Sequence, residues 1–283
     1  MRRRPEFWIR CFTNPSLVIG MSIFLFVLVA VLVGPALIKW EPNQISYVDI
    51  LQPPSKKHLL GTDSFGRDLL ARVLIGGRVS IQIGFMVMLG TTLFGTIIAL
   101  ICGYYESADI IVMRAMDVMM AFPTLLLAMV LSAILGNSVI GVCIALTIAY
   151  TPRTVRILRS AILTIREEIY IEAAHSIGVT ISDIMLRHIL LGVLPTLIVQ
   201  ETFLFAYAIL AEAGISFVGV GVQPPDPSWG NILSDATALL REAPWNVFAP
   251  GLCIMVTVFA LNLIGDGLRE VLDPKRTEGK ANV

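Results

Sequence analysis

Charge is scarce in this sequence. Lys, Arg, Asp and Glu make up 15% of its 283 residues and cancel to a net charge of zero, which leaves no global field to attract nucleic acid. Residues of the hydrophobic class reach 56%, a composition no soluble globular domain carries. Cysteine is sparse and scattered: Cys11, Cys102, Cys143 and Cys253 show neither metal-ligand spacing nor a disulfide framework. The sequence contains no Gly-x-x-x-x-Gly-Lys-Ser/Thr, so it has no P-loop with which to hold ATP itself. Histidine occurs three times, at His58, His175 and His188, in loops assigned below to opposite faces of a membrane. They cannot form one metal or catalytic site, which argues against an intramembrane enzyme. No catalytic residue and no metal ligand is assigned. No internal repeat is evident, whereas secondary transporters often show one.

What the sequence has is long apolar runs. Crossing a hydrocarbon core of about 30 Å takes about 20 helical residues, and only helices span lipid without a closed barrel. Six spans are read, at 17–38, 80–102, 117–136, 138–158, 190–216 and 246–267. The fourth continues through Pro152 with Arg153 and Arg156 reaching out of its inner end. The run from Leu17 to Ile38 is too long for a signal-peptide core and no A-x-A-like site follows, so an uncleaved first helix is expected. With the N-terminus inside, the inner segments hold 14 of the 21 Lys and Arg residues, which places both termini in the cytoplasm. The chain divides into an N-terminal helix and first external loop (1–79), a five-helix core (80–274) and a tail (275–283). The outer loop 218–245 is rich in proline and glycine.

A polar island interrupts the core. The segment Arg166 to Glu172 ends at Gly178, where glycine relieves a helix C-terminus. A second helix opens at Thr180, with Asp183 three residues on in the manner of a capping box. Ile181, Ile184, Met185 and His188 then share a face, and Pro195 marks the approach to the next apolar run. Small Ala173 and Ala174 let a partner surface approach closely. Glu172-Ala173-Ala174, Gly178, Arg187-His188 and Leu194-Pro195 stand at the spacing of the cytoplasmic coupling loop of ABC-transporter inner-membrane permeases, and the island resembles that loop.

Three further patches extend the resemblance to the dipeptide/oligopeptide/nickel branch of that family. The first is His58-Leu59-Leu60-Gly61-Thr62-Asp63 with Gly66-Arg67-Asp68, where Ala71 replaces the branch's usual serine. The second runs from Ser216 through Gln223-Pro224-Pro225 to Trp229-Gly230, with valines for leucines. Prolines there cannot continue a helix, so an irregular turn is expected at the outer end of the fifth span. The third is Asn262-Leu263-Ile264-Gly265-Asp266-Gly267-Leu268-Arg269, ending at Leu272-Asp273-Pro274. Leu191-Gly192 departs from the branch's Pro-Asn.

The resemblance implies an all-α integral membrane protein of the type I ABC importer permease kind, in a bacterial cytoplasmic (inner) membrane and surrounded by lipid. It implies a second, similar permease, two ATP-binding subunits carrying ATP and Mg, and an extracytoplasmic solute-binding protein. Glu172, Ala173, Ala174, Gly178, Arg187 and His188 would meet an ATPase. Asp63, Gly66, Arg67, Asp68, Gln223, Pro224, Pro225 and Trp229 would lie on the external, binding-protein or gate side. The transported solute would be a peptide, a glutathione-like compound or a nickel chelate. Glu201 lies inside the fifth span, where a carboxylate is costly. It is a candidate for the translocation path, or for pairing with the partner permease. Asp117 is assigned to an interface. Met86, Met88, Met116, Met119, Met120 and Met129 suit a pliable lining or ordinary packing.

Overall fold

The structure, a computed structural model, describes residues 4–272, with side chains from Ile9 onward. The arginines before Arg4, the expected terminal Asp273-Pro274 and the tail 275–283 lie outside the described residues. The chain is a helical bundle. Helix α1 (Arg4–Thr13) leads into α2 (Pro15–Leu37), α3 (Leu69–Tyr104), α4 (Glu106–Met120), α5 (Thr124–Leu135) and α6 (Val139–Arg166). Then come α7 (Ile169–Ser176) and a short α8 (Ile181–Asp183), which passes through a π-helical segment, Ile184–Ile189, into α9 (Leu190–Phe217). The bundle closes with α10 (Trp229–Ala236) and α11 (Trp245–Leu272).

Helix starts follow side-chain capping. Asn14 accepts from the Leu17 amide at 3.0 Å with Pro15 in the first turn, Asp68 from Ala71 at 2.8 Å, and Ser138 from Gly141 at 3.1 Å. Each satisfies an amide that the helix itself leaves without a partner.

Five of these helices are long and apolar enough to cross a membrane. The third expected span, 117–136, is not one straight helix. It is the pair α4 and α5, bent by 92°. Pro123 has no amide proton and biases the residue before it away from helix, so the chain turns at Ala121–Pro123. The second span begins at Leu69 rather than residue 80, and the expected division at 79/80 falls inside it. The fourth runs to Arg166, through Pro152 as expected. The fifth and sixth lie within a few residues of their expected positions, and α9 runs through Pro195.

Two helix contacts organise the bundle. α3 and α6 run parallel in close approach. A Cβ on Gly95 would stand 2.6 Å from Thr154, and one on Gly103 would stand 2.4 Å from Ile162. Small residues permit such contact between spanning helices, where lipid gives no hydrophobic drive. α3 and α9 run antiparallel and are joined by two hydrogen bonds between hydroxyls and carboxylates: Ser80 to Glu212 at 2.7 Å and Thr91 to Glu201 at 2.7 Å. The rungs are eleven residues apart on each helix, close to three full turns. The segments 38–68, 136–138 and 218–244 share one end of the bundle. The 167–189 segment and the C-terminal end of α11 share the other.

Candidate functional site

The 167–189 end is built on a packed base with an apolar tip. Ile171, Ala174, Ile184 and Ile189 are buried together with Val155, Leu158 and Ile162 of α6. Ala174 is 7% exposed. It does not stand at the tip as expected, because α7 turns that face inward onto α6. The exposed tip is Glu172, Ala173, Ile177 and Gly178, flanked by Ile169 and Tyr170. Ile169 and Ile177 are 82% and 81% exposed. Both were passed over in the sequence, where an isoleucine in an apolar chain carries no signal. Gly178 has φ +82° and donates to His175 O at 3.0 Å, while Val179 donates to Ala174 O at 3.1 Å. This left-handed helix end is the one the sequence predicts. Thr180 Oγ1 accepts from the Asp183 amide at 3.3 Å. Arg187 pairs with Asp183 at 3.1 Å on the exposed side, a contact of little energy. His188 lies near the Tyr170 ring, with centroids 6.5 Å apart.

α4 lies over α6 at this end. Asp109 pairs with Arg159 and Asp117 with Arg156, while Arg153 stacks on the Tyr207 ring at 5.0 Å. The arginines expected to reach outward from α6 therefore find partners within the bundle. Among the described residues α4 buries none of its own. Met86, Met116 and Met119 line a cleft of about 620 Å³ between α3, α4 and α6. Met88 and Met129 pack into the core.

The opposite end is a charged lattice over a buried tryptophan. Asp63 Oδ1 accepts from the Phe65 and Arg67 amides at 2.8 and 3.0 Å, and its Oδ2 meets Arg67 Nε at 2.6 Å and Arg72 Nε at 3.5 Å. Asp235 of α10 approaches the same two arginines at 3.8 and 3.9 Å. Burial pushes the Asp235 carboxyl up, and Arg72 and Arg67 offset this in part. Gly66 has φ +69°, and a Cβ there would strike the Ser46 carbonyl. Asp68 both caps α3 and meets His58 Nδ1 at 2.8 Å. His58 is buried against Trp40, with Asp49 on its other side at 3.8 Å.

Gln223, Pro224 and Pro225 are exposed. Trp229 is not. It is wholly buried and donates to the Val73 carbonyl at 2.9 Å, with Gly77 against its ring. It cannot touch an external partner directly. Ser228 and Asn231 form a reciprocal cap that turns α10 inward beneath the loop.

Inside the bundle, Glu201 is 4% exposed. Its Oε2 accepts from Thr91 of α3 and its Oε1 from Thr154 of α6 at 2.9 Å. The carboxylate faces two hydroxyls and joins three helices. A second carboxylate, Glu212, is fully buried and accepts from Ser80 and from Ser216 at 2.8 Å. Ser80 also receives the Trp229 amide, at 3.2 Å, and Ser216 that of Val222 at 3.1 Å. Glu212 thus anchors both the start and the end of the 218–228 loop. Its signal in the sequence is a lone charge in an apolar run.

Comparison with known proteins shows the family. Residues 91–278 match the family described as binding-protein-dependent transport system inner membrane component, and residues 5–54 match the N-terminal membrane domain of oligopeptide transport permease C. A Brucella suis protein named for a peptide transport system permease is 45% identical, over 95% of this chain and 92% of its own length. A dipeptide transport system permease protein of Alkalihalophilus pseudofirmus is 42% identical, over 93% and 86%. A glutathione transport system permease protein of Pectobacterium atrosepticum is 38% identical, over 95% and 90%.

Proposed function

Because the chain belongs to the binding-protein-dependent transport system inner membrane component family, a family of multi-pass membrane permeases, we propose that it is one of two permease chains enclosing the path of an ATP-driven peptide importer. The observation that carries the reading is the 167–189 end. A rigid base holds Ile169, Ile177 and Glu172 outward, and the π-helical segment joins that base without a break to α9. Force applied at the tip reaches α9 directly, and α9 is tied to α3 and α6.

In this reading two ATP-binding subunits, with ATP and Mg, dock on the tip from the cytoplasm, where the excess of Lys and Arg places both termini. This chain supplies the moving path and no ATP chemistry. ATP-driven closure rocks the bundle between inward-open and outward-open states. A loaded solute-binding protein reaches the outer end at Gln223–Pro225, while Trp229 and Glu212 hold that loop from below. The second permease packs along the exposed, methionine-lined face between α3, α4 and α6. Glu201 holds three helices together beside the path. The names of the relatives support short peptides as the solute class.

The test is purification and reconstitution of the chain with its neighbours. The expected result is a stable complex whose ATP hydrolysis rises with loaded binding protein and drives peptide uptake. Uptake by the chain alone would replace this reading with that of a secondary transporter. Single cysteines at Glu172 and Pro225, in a background without the native four, should label from opposite sides of the membrane.

A further inference from the structure

Where α6, α9 and α11 diverge at the 167–189 end, they enclose a cleft of about 470 Å³. Ile157, Val199 and Phe203 supply an apolar wall, and Thr196, Gln200 and Arg269 supply the polar groups. The volume is that of a small-molecule site. Gln200 is 9% exposed, and among the described residues its side-chain amide has no hydrogen-bond partner. Arg269 has no ion pair or side-chain hydrogen bond there either. Buried polar groups ordinarily find partners, and here both side chains line the cleft without one. Among the described residues no hydrogen bond joins Gln200 to the adjacent Glu201, whose oxygens accept from Thr91 and Thr154.

The donors in this cleft are a guanidinium fork, an amide and a hydroxyl. That set fits a planar carboxylate, which arginine binds with two parallel hydrogen bonds. The wall beside it fits an apolar side chain. We propose that the cleft is a subsite for the carboxylate end of a small amphiphilic solute. Given the importer reading, on which this rests, that is the C-terminal carboxylate of a short peptide passing along α9. A phospholipid phosphate presents the same anionic chemistry, so the experiment separates the two sources.

Ile157→Cys, in the assembled complex lacking the native cysteines, reports on the cleft through its rate of reaction with a maleimide. In nanodiscs of phosphatidylcholine, millimolar leucyl-leucine should slow labelling several-fold, and leucyl-leucinamide should not. Arg269→Gln should abolish the protection and Arg269→Lys should keep part of it. Equal effects of the two peptides, or none, in a complex that still imports peptide would overturn the subsite and leave the importer reading intact. Slow labelling that appears with phosphatidylglycerol and ignores peptide would assign the cleft to lipid and also overturn it. Carboxylate-dependent protection in a complex that imports nothing would uphold the subsite while the importer reading fell.

Discussion

Replacing Glu201 by glutamine and by alanine tests whether this carboxylate is a structural tie. Its two hydroxyl partners are not equivalent. Thr91 Oγ1 also lies 2.9 Å from the Val87 carbonyl and 3.0 Å from that of Met88, so its proton has other acceptors when Glu201 is gone. Among the described residues Thr154 has only Glu201. Side-chain hydrogen bonds between spanning helices average about 0.6 kcal/mol in double-mutant cycles, with a maximum near 1.7. Coupling between Glu201 and Thr154 should therefore sit in the upper half, about 1–1.7 kcal/mol, and coupling with Thr91 at about 0.5 kcal/mol or below. The cycles are Glu201→Ala with Thr154→Val and with Thr91→Val, read by reversible unfolding of the purified chain in mixed micelles; Glu201→Gln keeps an acceptor oxygen and should cost less than Glu201→Ala. Glu201→Ala should cost more than either threonine change, since it strands the Thr154 hydroxyl. Couplings indistinguishable from zero, or a larger one at Thr91, would refute the argument. Unchanged stability with impaired uptake would return Glu201 to the translocation path.

Trp229→Ala should destabilise the chain by about 3–5 kcal/mol through the cavity it leaves, and Trp229→Phe by much less; a mild alanine phenotype in thermal unfolding would mean that α10 is not a packed element. Ile177→Asp and Gly178→Val, the first by charging the apolar tip and the second by straining φ +82°, should leave membrane insertion intact and reduce stimulation of the partner ATPase several-fold. Normal stimulation in both would remove the tip from coupling. The Asp49 carboxyl is held below its ordinary 3.8 by hydrogen bonds from Lys57 and Ser46. A lowered folded-state value means the contribution is present at neutral pH and is lost as pH falls below 3.8 through the folded value. Amide protection across residues 44–63, relative to the intrinsic exchange rate at each pH, should fall in that range, and Asp49→Asn should lessen that fall.

Much of this was legible because lipid enforces simple rules. Apolar length located five spans, and capping chemistry located Thr180 and Gly178. The bend in the third span was missed because the window ran through Phe122-Pro123 on hydropathy alone. Ala174 and Trp229 were placed by motif, and motifs do not report which face of a short helix turns inward. The pairing of Glu201 and Glu212 with hydroxyls was illegible for another reason. Serine and threonine at 80, 91 and 154 are unremarked in apolar runs until the register between helices is known.

That register has a kinematic consequence. Two ties about 16 Å apart, on helices running in opposite directions, remove the freedom of α3 and α9 to slide. A displacement of one residue, about 1.5 Å, would pull both hydroxyls off their carboxylates at once. Rotation of either helix about its own axis would do the same. What remains to the pair is motion as a single strut, tilting about its ends. Any cycle that opens one side of the membrane and then the other must place its hinges outside this strut, and the sharp turn at Ala121–Pro123 is the joint nearest to hand.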